Sequence, residues 1–258
     1  MSEAILPLWP GREAPYTAEC GDQAQPSVKA FPVEGARVAV VICPGGSYEF
    51  KAENESDPIA RRLNREGIAG YVLDYRVKPC NPMTPLTDAQ RAIRLVRSMG
   101  YDYVGIVGFS AGGNLTCSAA THYDAGDPDA ADPIDRLSCR PDFFVPCYAV
   151  VSMTQFPHTG SILALLGGPD QHPMQRFFSA ELNITPDTPP AYIWHTANDE
   201  LVPVENSLLL ASALARAGVM FELHVFPDAP HGADLGEGTP DISTWPAEAA
   251  RFIRRVCP

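Results

Sequence analysis

The first nine residues, Met1-Ser2-Glu3-Ala4-Ile5-Leu6-Pro7-Leu8-Trp9, lack the basic stretch and the unbroken apolar core of a secretion signal, so none is expected. No apolar run approaches the roughly 20 residues that span a bilayer. A cytoplasmic protein without membrane segments is therefore the expectation. Basic residues are scarce: 19 Lys and Arg stand against 31 Asp and Glu, a net charge of −12. Nucleic-acid affinity comes mainly from Lys and Arg on phosphates, so neither nucleic acid nor an anionic membrane is expected as a partner. The seven cysteines (Cys20, Cys43, Cys80, Cys117, Cys139, Cys147, Cys257) form an odd set without CxxC or Cys/His spacing for zinc. They read as reduced thiols, several of them in the core, with no metal centre. G-x-G-x-x-G is missing, and no Gly-Lys-[Ser/Thr] follows the glycine-rich stretch near residue 45, which excludes a P-loop. No cofactor is expected.

What is present is an ordinary globular composition, 45% apolar over 258 residues, enough for one large domain or two small ones. The 26 prolines imply many rigid loops, a setting in which function sits on connections. Apolar β-branched runs alternate with amphipathic stretches, the pattern of an α/β fold with a mostly parallel sheet covered by helices on both faces. Strands are expected over 36–43, 70–77, 103–109, 143–151, 191–196 and 220–226. Helices are expected over 57–66, 87–99, from Ser110 onward, 204–217 and 246–256. Residues 125–142, rich in Asp and Pro, read as a surface loop. Residues 152–190 are irregular, with short helical pieces near 161–166 and 174–179, and read as a small lid over the carboxyl ends of the strands. The whole chain, 1–258, then makes one domain.

Gly108-Phe109-Ser110-Ala111-Gly112 fits G-x-S-x-G, a serine on a sharp strand-to-helix turn whose small neighbours let strand and helix backbones approach. A strand-like run precedes it and a helix-like run follows, as the motif demands. A serine hydroxyl is a weak nucleophile at neutral pH and needs a base, and the base needs an orienting group. His195 and His224 lie inside strand-like runs, and His122, His158 and His172 have no supporting motif. His231, in Pro227-Asp228-Ala229-Pro230-His231-Gly232, lies in a loop after the last strand, where a base can reach across the strand ends. The acid is expected between serine and histidine in the chain. Asp199, in Thr196-Ala197-Asn198-Asp199-Glu200-Leu201-Val202-Pro203, is preferred, with Glu200 its close rival. Asp74 and Asp88 precede the serine and read as structural, pairing with Arg76 or capping a helix. Donors for an oxyanion are expected from the amide of Gly46 or Ser47 together with that of Ala111, since Pro44-Gly45-Gly46-Ser47-Tyr48 follows an upstream strand.

On these residues the sequence resembles the small α/β-hydrolases of the esterase/lipase superfamily, most of all the short acetyl esterases similar to acetylxylan esterases. The likeness extends through Leu6-Pro7-Leu8-Trp9-Pro10, Leu73-Asp74-Tyr75-Arg76-Val77, Asp88-Ala89-Gln90-Arg91-Ala92, Ser138-Cys139-Arg140-Pro141-Asp142 and Thr188-Pro189-Pro190. Two departures stand out. Pro44 and Ser47 replace the histidine and third glycine of the lipase HGGG motif, and the connection 98–102 is short. The resemblance implies a serine carboxylester hydrolase acting on a short acyl ester, acetyl on a sugar or oligosaccharide, through Ser110, His231 and Asp199. Gly45, Tyr48, Asn114 and residues 153–156 are expected near the acyl or alcohol pocket. A general short-chain carboxylesterase, a prolyl-oligopeptidase-like peptidase and a catalytically silent binding protein of the same fold are the competing readings. A homo-oligomer is compatible with the sequence.

Overall fold

Short, mostly apolar runs buried on both faces make the central strands of one eight-stranded sheet. The computed structural model describes residues 4–168 and 173–258. Its strands are β1 (Ala4–Pro7), β2 (Ser27–Phe31), β3 (Val38–Cys43), β4 (Ala69–Asp74), β5 (Tyr103–Phe109), β6 (Phe144–Cys147), β7 (Ala191–Thr196) and β8 (Phe221–Phe226), in the spatial order β1-β2-β4-β3-β5-β6-β7-β8. From β4 to β8 every pairing is parallel, while β1 and β2 add an antiparallel edge. β7 is buried along its whole length and β5 along all but its first residue, as strands covered on both faces should be.

Among the described residues the α-helices are α1 (Asp57–Asn64), α2 (Thr84–Arg97), α3 (Ser110–Thr121), α4 (Thr159–Leu166), α5 (Glu205–Ala217) and α6 (Trp245–Val256). Two apolar clusters lie on opposite faces of the sheet. One gathers α2, α3, α4 and α5 through residues such as Ile93, Leu115, Leu165 and Leu210. The other gathers α1 and α6 through Ile59, Leu63, Trp245 and Phe252. In α1, Ile59, Ala60 and Leu63 recur at helical spacing on one buried stripe, Pro58 sits in the first turn, and Arg61 and Arg62 lie in the last, where the helix dipole favours cations. α3 is different: every residue from Ser110 to Ala120 is buried, so its small side chains serve close packing on all sides.

Three expectations need correction. The strand expected over 143–151 stops at Cys147, because Tyr148 adopts φ 35° and turns the chain out of the ladder. The helical piece expected at 174–179 is a set of turns with a single helical bond, Phe178 N–H to Met174 O at 3.0 Å, followed by a short 3-10 turn at Ala180–Leu182. The edge strands β1 and β2 were not expected; Ala4–Pro7 has only four residues and ends on a proline. Within the segment expected as a lid, Ile162, Leu165, Leu166 and Phe178 bury into the same cluster as α3 and α5.

Candidate active site

β3 and β5 are parallel neighbours with Cys43 opposite Gly108, so the loop leaving β3 and the turn leaving β5 emerge side by side at the carboxyl edge of the sheet. That edge is where ligands meet open α/β sheets. Ser110 opens α3 with φ 53°, a left-handed conformation that a non-glycine residue adopts at a cost of about 1–3 kcal/mol. The surroundings impose it. A Cβ on Gly108 would lie 2.2 Å from the Gly112 carbonyl oxygen, and one on Gly112 would lie 2.1 Å from the Cys43 oxygen and 2.4 Å from that of Pro44. The two glycines of G-x-S-x-G are thus required by backbone packed against backbone.

β7 and β8 lie on the same side of β5, and the loops at their carboxyl ends carry Asp199 and His231. His231 Nε2 is 2.8 Å from Ser110 Oγ, and His231 Nδ1 is 2.6 Å from Asp199 Oδ2. The other carboxylate oxygen of Asp199 accepts the Leu201 and Val202 amides at 3.0 and 2.9 Å, so the residue folds its own turn and explains the D-x-x-V-P pattern. Burial alone would raise the Asp199 carboxyl. Hydrogen bonds from His195, His231 and the Val202 amide more than offset this and hold it well below the usual carboxylate range. Glu200, the rival acid, is exposed to solvent.

His195 was expected as a core residue, and it is fully buried, but it also borders the site. Its Nε2 lies 2.9 Å from the Val202 carbonyl oxygen and 3.3 Å from Asp199 Oδ2, and its Nδ1 lies 2.7 Å from Ser207 Oγ. Facing two acceptors, Nε2 carries the proton and Ser207 donates to Nδ1. His224 pairs with Glu222 and Glu248 on the sheet edge, His122 stacks on Phe177, and His158 caps α4. His172 lies outside the described residues.

The loop after β3 turns back on itself through positive φ at Gly46 (120°), Ser47 (57°) and Tyr48 (61°). Among the described residues, the amides of Gly46, Ser47 and Ala111 meet no acceptor within the chain. Successive amides in such turns form concavities suited to anions. The Gly45 amide is already engaged, donating to Glu55 Oε2 at 2.7 Å. Tyr48 and Asn114, expected near the substrate, are buried and satisfy each other: Tyr48 Oη donates to Asn114 Oδ1 at 2.8 Å, and Asn114 Nδ2 donates to the Phe178 carbonyl at 2.9 Å. Met153 is buried in the core, whereas Thr154 and Gln155 are exposed.

Sequence reasoning passed over Glu55 and Tyr148. Both are buried, and Tyr148 packs its ring 5.1 Å from His231, edge to face. A cavity of about 510 Å³ opens beside His231, lined by Asn198, Glu200, Leu201, Asp228 and Pro230. Burial pushes the Cys43 thiol, at the end of β3, up to about 12, so it stays protonated near neutral pH. None of the seven cysteines is paired with another. Among the described residues, no group of three His, Cys, Asp or Glu is placed to hold a metal, and no helix is long and apolar enough to cross a membrane.

A parallel sheet with helices on both faces, a serine on a strained turn after the central strand, and histidine and aspartate on the following strand ends together define an α/β-hydrolase. The chain belongs to the BD-FAE family, whose model matches residues 31–214. It is similar to an acetyl ester-xyloside bifunctional hydrolase from Caldicellulosiruptor lactoaceticus, with 38% identity over 98% of this chain and 96% of that one and a TM-score of 0.89. It is also 32% identical to endo-1,4-beta-xylanase B of Butyrivibrio fibrisolvens and 28% identical to an acetylxylan esterase of Xylanibacter ruminicola, over 87% and 94% of this chain respectively. The chain spans only 37% and 53% of the length of those two relatives.

Proposed function

We propose that this protein is a serine carboxylester hydrolase that removes short acyl groups, acetyl above all, from sugars or oligosaccharides. The observation that carries the reading is the unbroken line from Asp199 through His231 to Ser110, with contacts of 2.6 and 2.8 Å, ending on a serine strained into position. Ser110 Oγ attacks the ester carbonyl carbon while His231 Nε2 takes its proton. Asp199 fixes the Nδ1–H tautomer and stabilises the imidazolium as it forms. The tetrahedral oxyanion is received by the amide of Ala111 and by that of Gly46 or Ser47, donors of the kind worth about 3–4 kcal/mol in the transition state. His231 then protonates the departing alcohol, and water, activated by the same base, releases the acid and frees Ser110.

Support for a sugar alcohol comes from the cavity beside His231, whose Asn198, Glu200 and Asp228 offer hydrogen bonds next to the apolar Leu201. The printed names of the relatives, an acetylxylan esterase and an acetyl ester-xyloside hydrolase, support the acetyl group. Tyr48 and Asn114 serve in this reading to hold the loop and not to touch substrate, and the chain acts as a single domain.

A series of 4-nitrophenyl esters from acetate to octanoate, followed by acetate release from acetylated xylo-oligosaccharides, tests the substrate class. The expected result is kcat/KM falling as the acyl chain lengthens, with acetate released from the sugars. A preference for octanoate would replace the acetyl-esterase reading with that of a general lipase-like carboxylesterase.

A further inference from the structure

Behind the triad lies a second carboxylate, Glu55, in the short turn before α1. It is 3% exposed, and nothing in the serine mechanism above uses it. Its two oxygens are both acceptors: Oε2 takes the Gly45 amide at 2.7 Å and Oε1 takes the Tyr148 hydroxyl at 2.6 Å. The Tyr148 oxygen in turn accepts the Asp234 amide at 3.2 Å, so its proton is committed to Glu55. With donors on both oxygens, the geometry calls for the ionised form even though burial raises the Glu55 carboxyl. The chain of contacts therefore runs from the loop of Gly46 and Ser47, through Glu55 and Tyr148, to the loop three residues past His231. The Tyr148 ring also packs against the His231 imidazole.

We propose that Glu55, acting through Tyr148, is a positioning residue for the reaction: it locks the oxyanion loop to the histidine loop and places a buried negative charge behind the imidazolium. The proposal rests on the serine-hydrolase reading above. Gly45 is the residue just before the proposed donors: its N–H, held by Glu55, fixes the peptide plane that enters it, and its carbonyl shares the next plane with the Gly46 amide. The Ala52 amide closes the same turn on the Gly45 carbonyl at 3.1 Å, so the loop is held at both ends of one residue. Gly45 itself has no room for a side chain, since a Cβ there would meet Glu55 Oε2 at 2.7 Å and the Phe109 carbonyl oxygen at 2.9 Å. A donor preorganised this way costs no rearrangement when charge develops on the substrate oxygen.

The groups that bear on the charge are few. Tyr148, Tyr75, Cys147, Asp234 and His231 interact electrostatically with Glu55, and Asp199 and His158 bear on His231. Glu55→Gln keeps the size of the side chain but turns one acceptor into a donor that faces a donor. Tyr148→Phe keeps the ring and deletes the hydroxyl. Steady-state kinetics of both variants on 4-nitrophenyl acetate from pH 5 to 9, with thermal melting as the check on folding, tests the proposal. For Glu55→Gln the expected result is a kcat lower by about 10- to 100-fold, less than or comparable to the loss of an oxyanion donor, with KM within about 3-fold. Tyr148→Phe should lower kcat in the same direction. A folded Glu55→Gln with wild-type kcat and KM overturns the proposal. If that variant does not fold, a folded Tyr148→Phe with unchanged kcat overturns it instead. Wild-type protein without turnover would sink the esterase reading, whereas active wild type with unaffected variants sinks only this one.

Discussion

Asp199 does three things with two oxygens: it folds its own turn, orients His231 and accepts from buried His195. Because its folded-state pKa is depressed, it stabilises the fold above the unfolded value of about 3.9, and that contribution is lost as pH falls below it toward the folded pKa. The stability gap between wild type and Asp199→Asn, measured as urea midpoints, should therefore narrow as pH drops from 6 toward 2.5. A gap that stays constant across that range would contradict the account. At this scale Ser110 and His231 were legible because each sits in a short pattern tied to a local structure, a strand-to-helix turn or a strand-end loop. Asp199 was legible through its turn, which the carboxylate itself makes. Glu55 and Tyr148 were not. In Ala52-Glu53-Asn54-Glu55 nothing distinguishes the buried glutamate from its exposed neighbours, and its partner Tyr148 lies 93 positions away.

The element that decides the site is the β5–α3 junction, where backbone meets backbone. Gly112→Ala would place a methyl group 2.1 Å from the Cys43 carbonyl oxygen and 2.4 Å from that of Pro44, where the loop after β3 begins. The expected cost is about 1–3 kcal/mol, with loss of activity because the loop after β3 is pushed from the serine. Urea denaturation and ester turnover of the variant check both, and an alanine variant as stable and active as wild type would refute the close-approach explanation. Gly113, on the next face of α3, is nearly as tight against Ala149. Central strands and long helices were readable here from apolar runs and periodicity, and β5 and β7 have the expected bounds. The end of β6 was not, because the turn at Tyr148 has no glycine or asparagine to announce its positive φ.

Across the whole molecule, one topological fact assembles the chemistry: β3, β5, β7 and β8 run parallel, so loops from four places in the chain open on one edge. The scaffold beneath that edge is anchored by an ion pair in its interior. The Arg76 guanidinium grips Asp88 through Nε and Nη2 at 3.0 and 2.6 Å, also reaches the Pro15 carbonyl, and faces Trp9, tying the N-terminal segment to β4 and α2. Pairing with Arg76 or capping a helix were the two expectations for Asp88, and the pairing is the one that forms. Asp88→Ala leaves the guanidinium, 2% exposed, without its partner, and a loss of about 3–5 kcal/mol is expected in equilibrium unfolding. A change below about 1 kcal/mol would show the pair to be dispensable. Fold class and chain order were thus readable from local pattern, whereas the antiparallel edge and the contacts linking the loops depend on tertiary pairing that no short window contains. The most direct test of the central claim is 4-nitrophenyl acetate turnover by wild type, Ser110→Ala, His231→Ala and His195→Ala under identical conditions. The account predicts losses of about 10⁴-fold or more for Ser110→Ala and His231→Ala, with most activity kept by folded His195→Ala. Activity near wild type in Ser110→Ala, or in His231→Ala while His195→Ala is inactive, would contradict it.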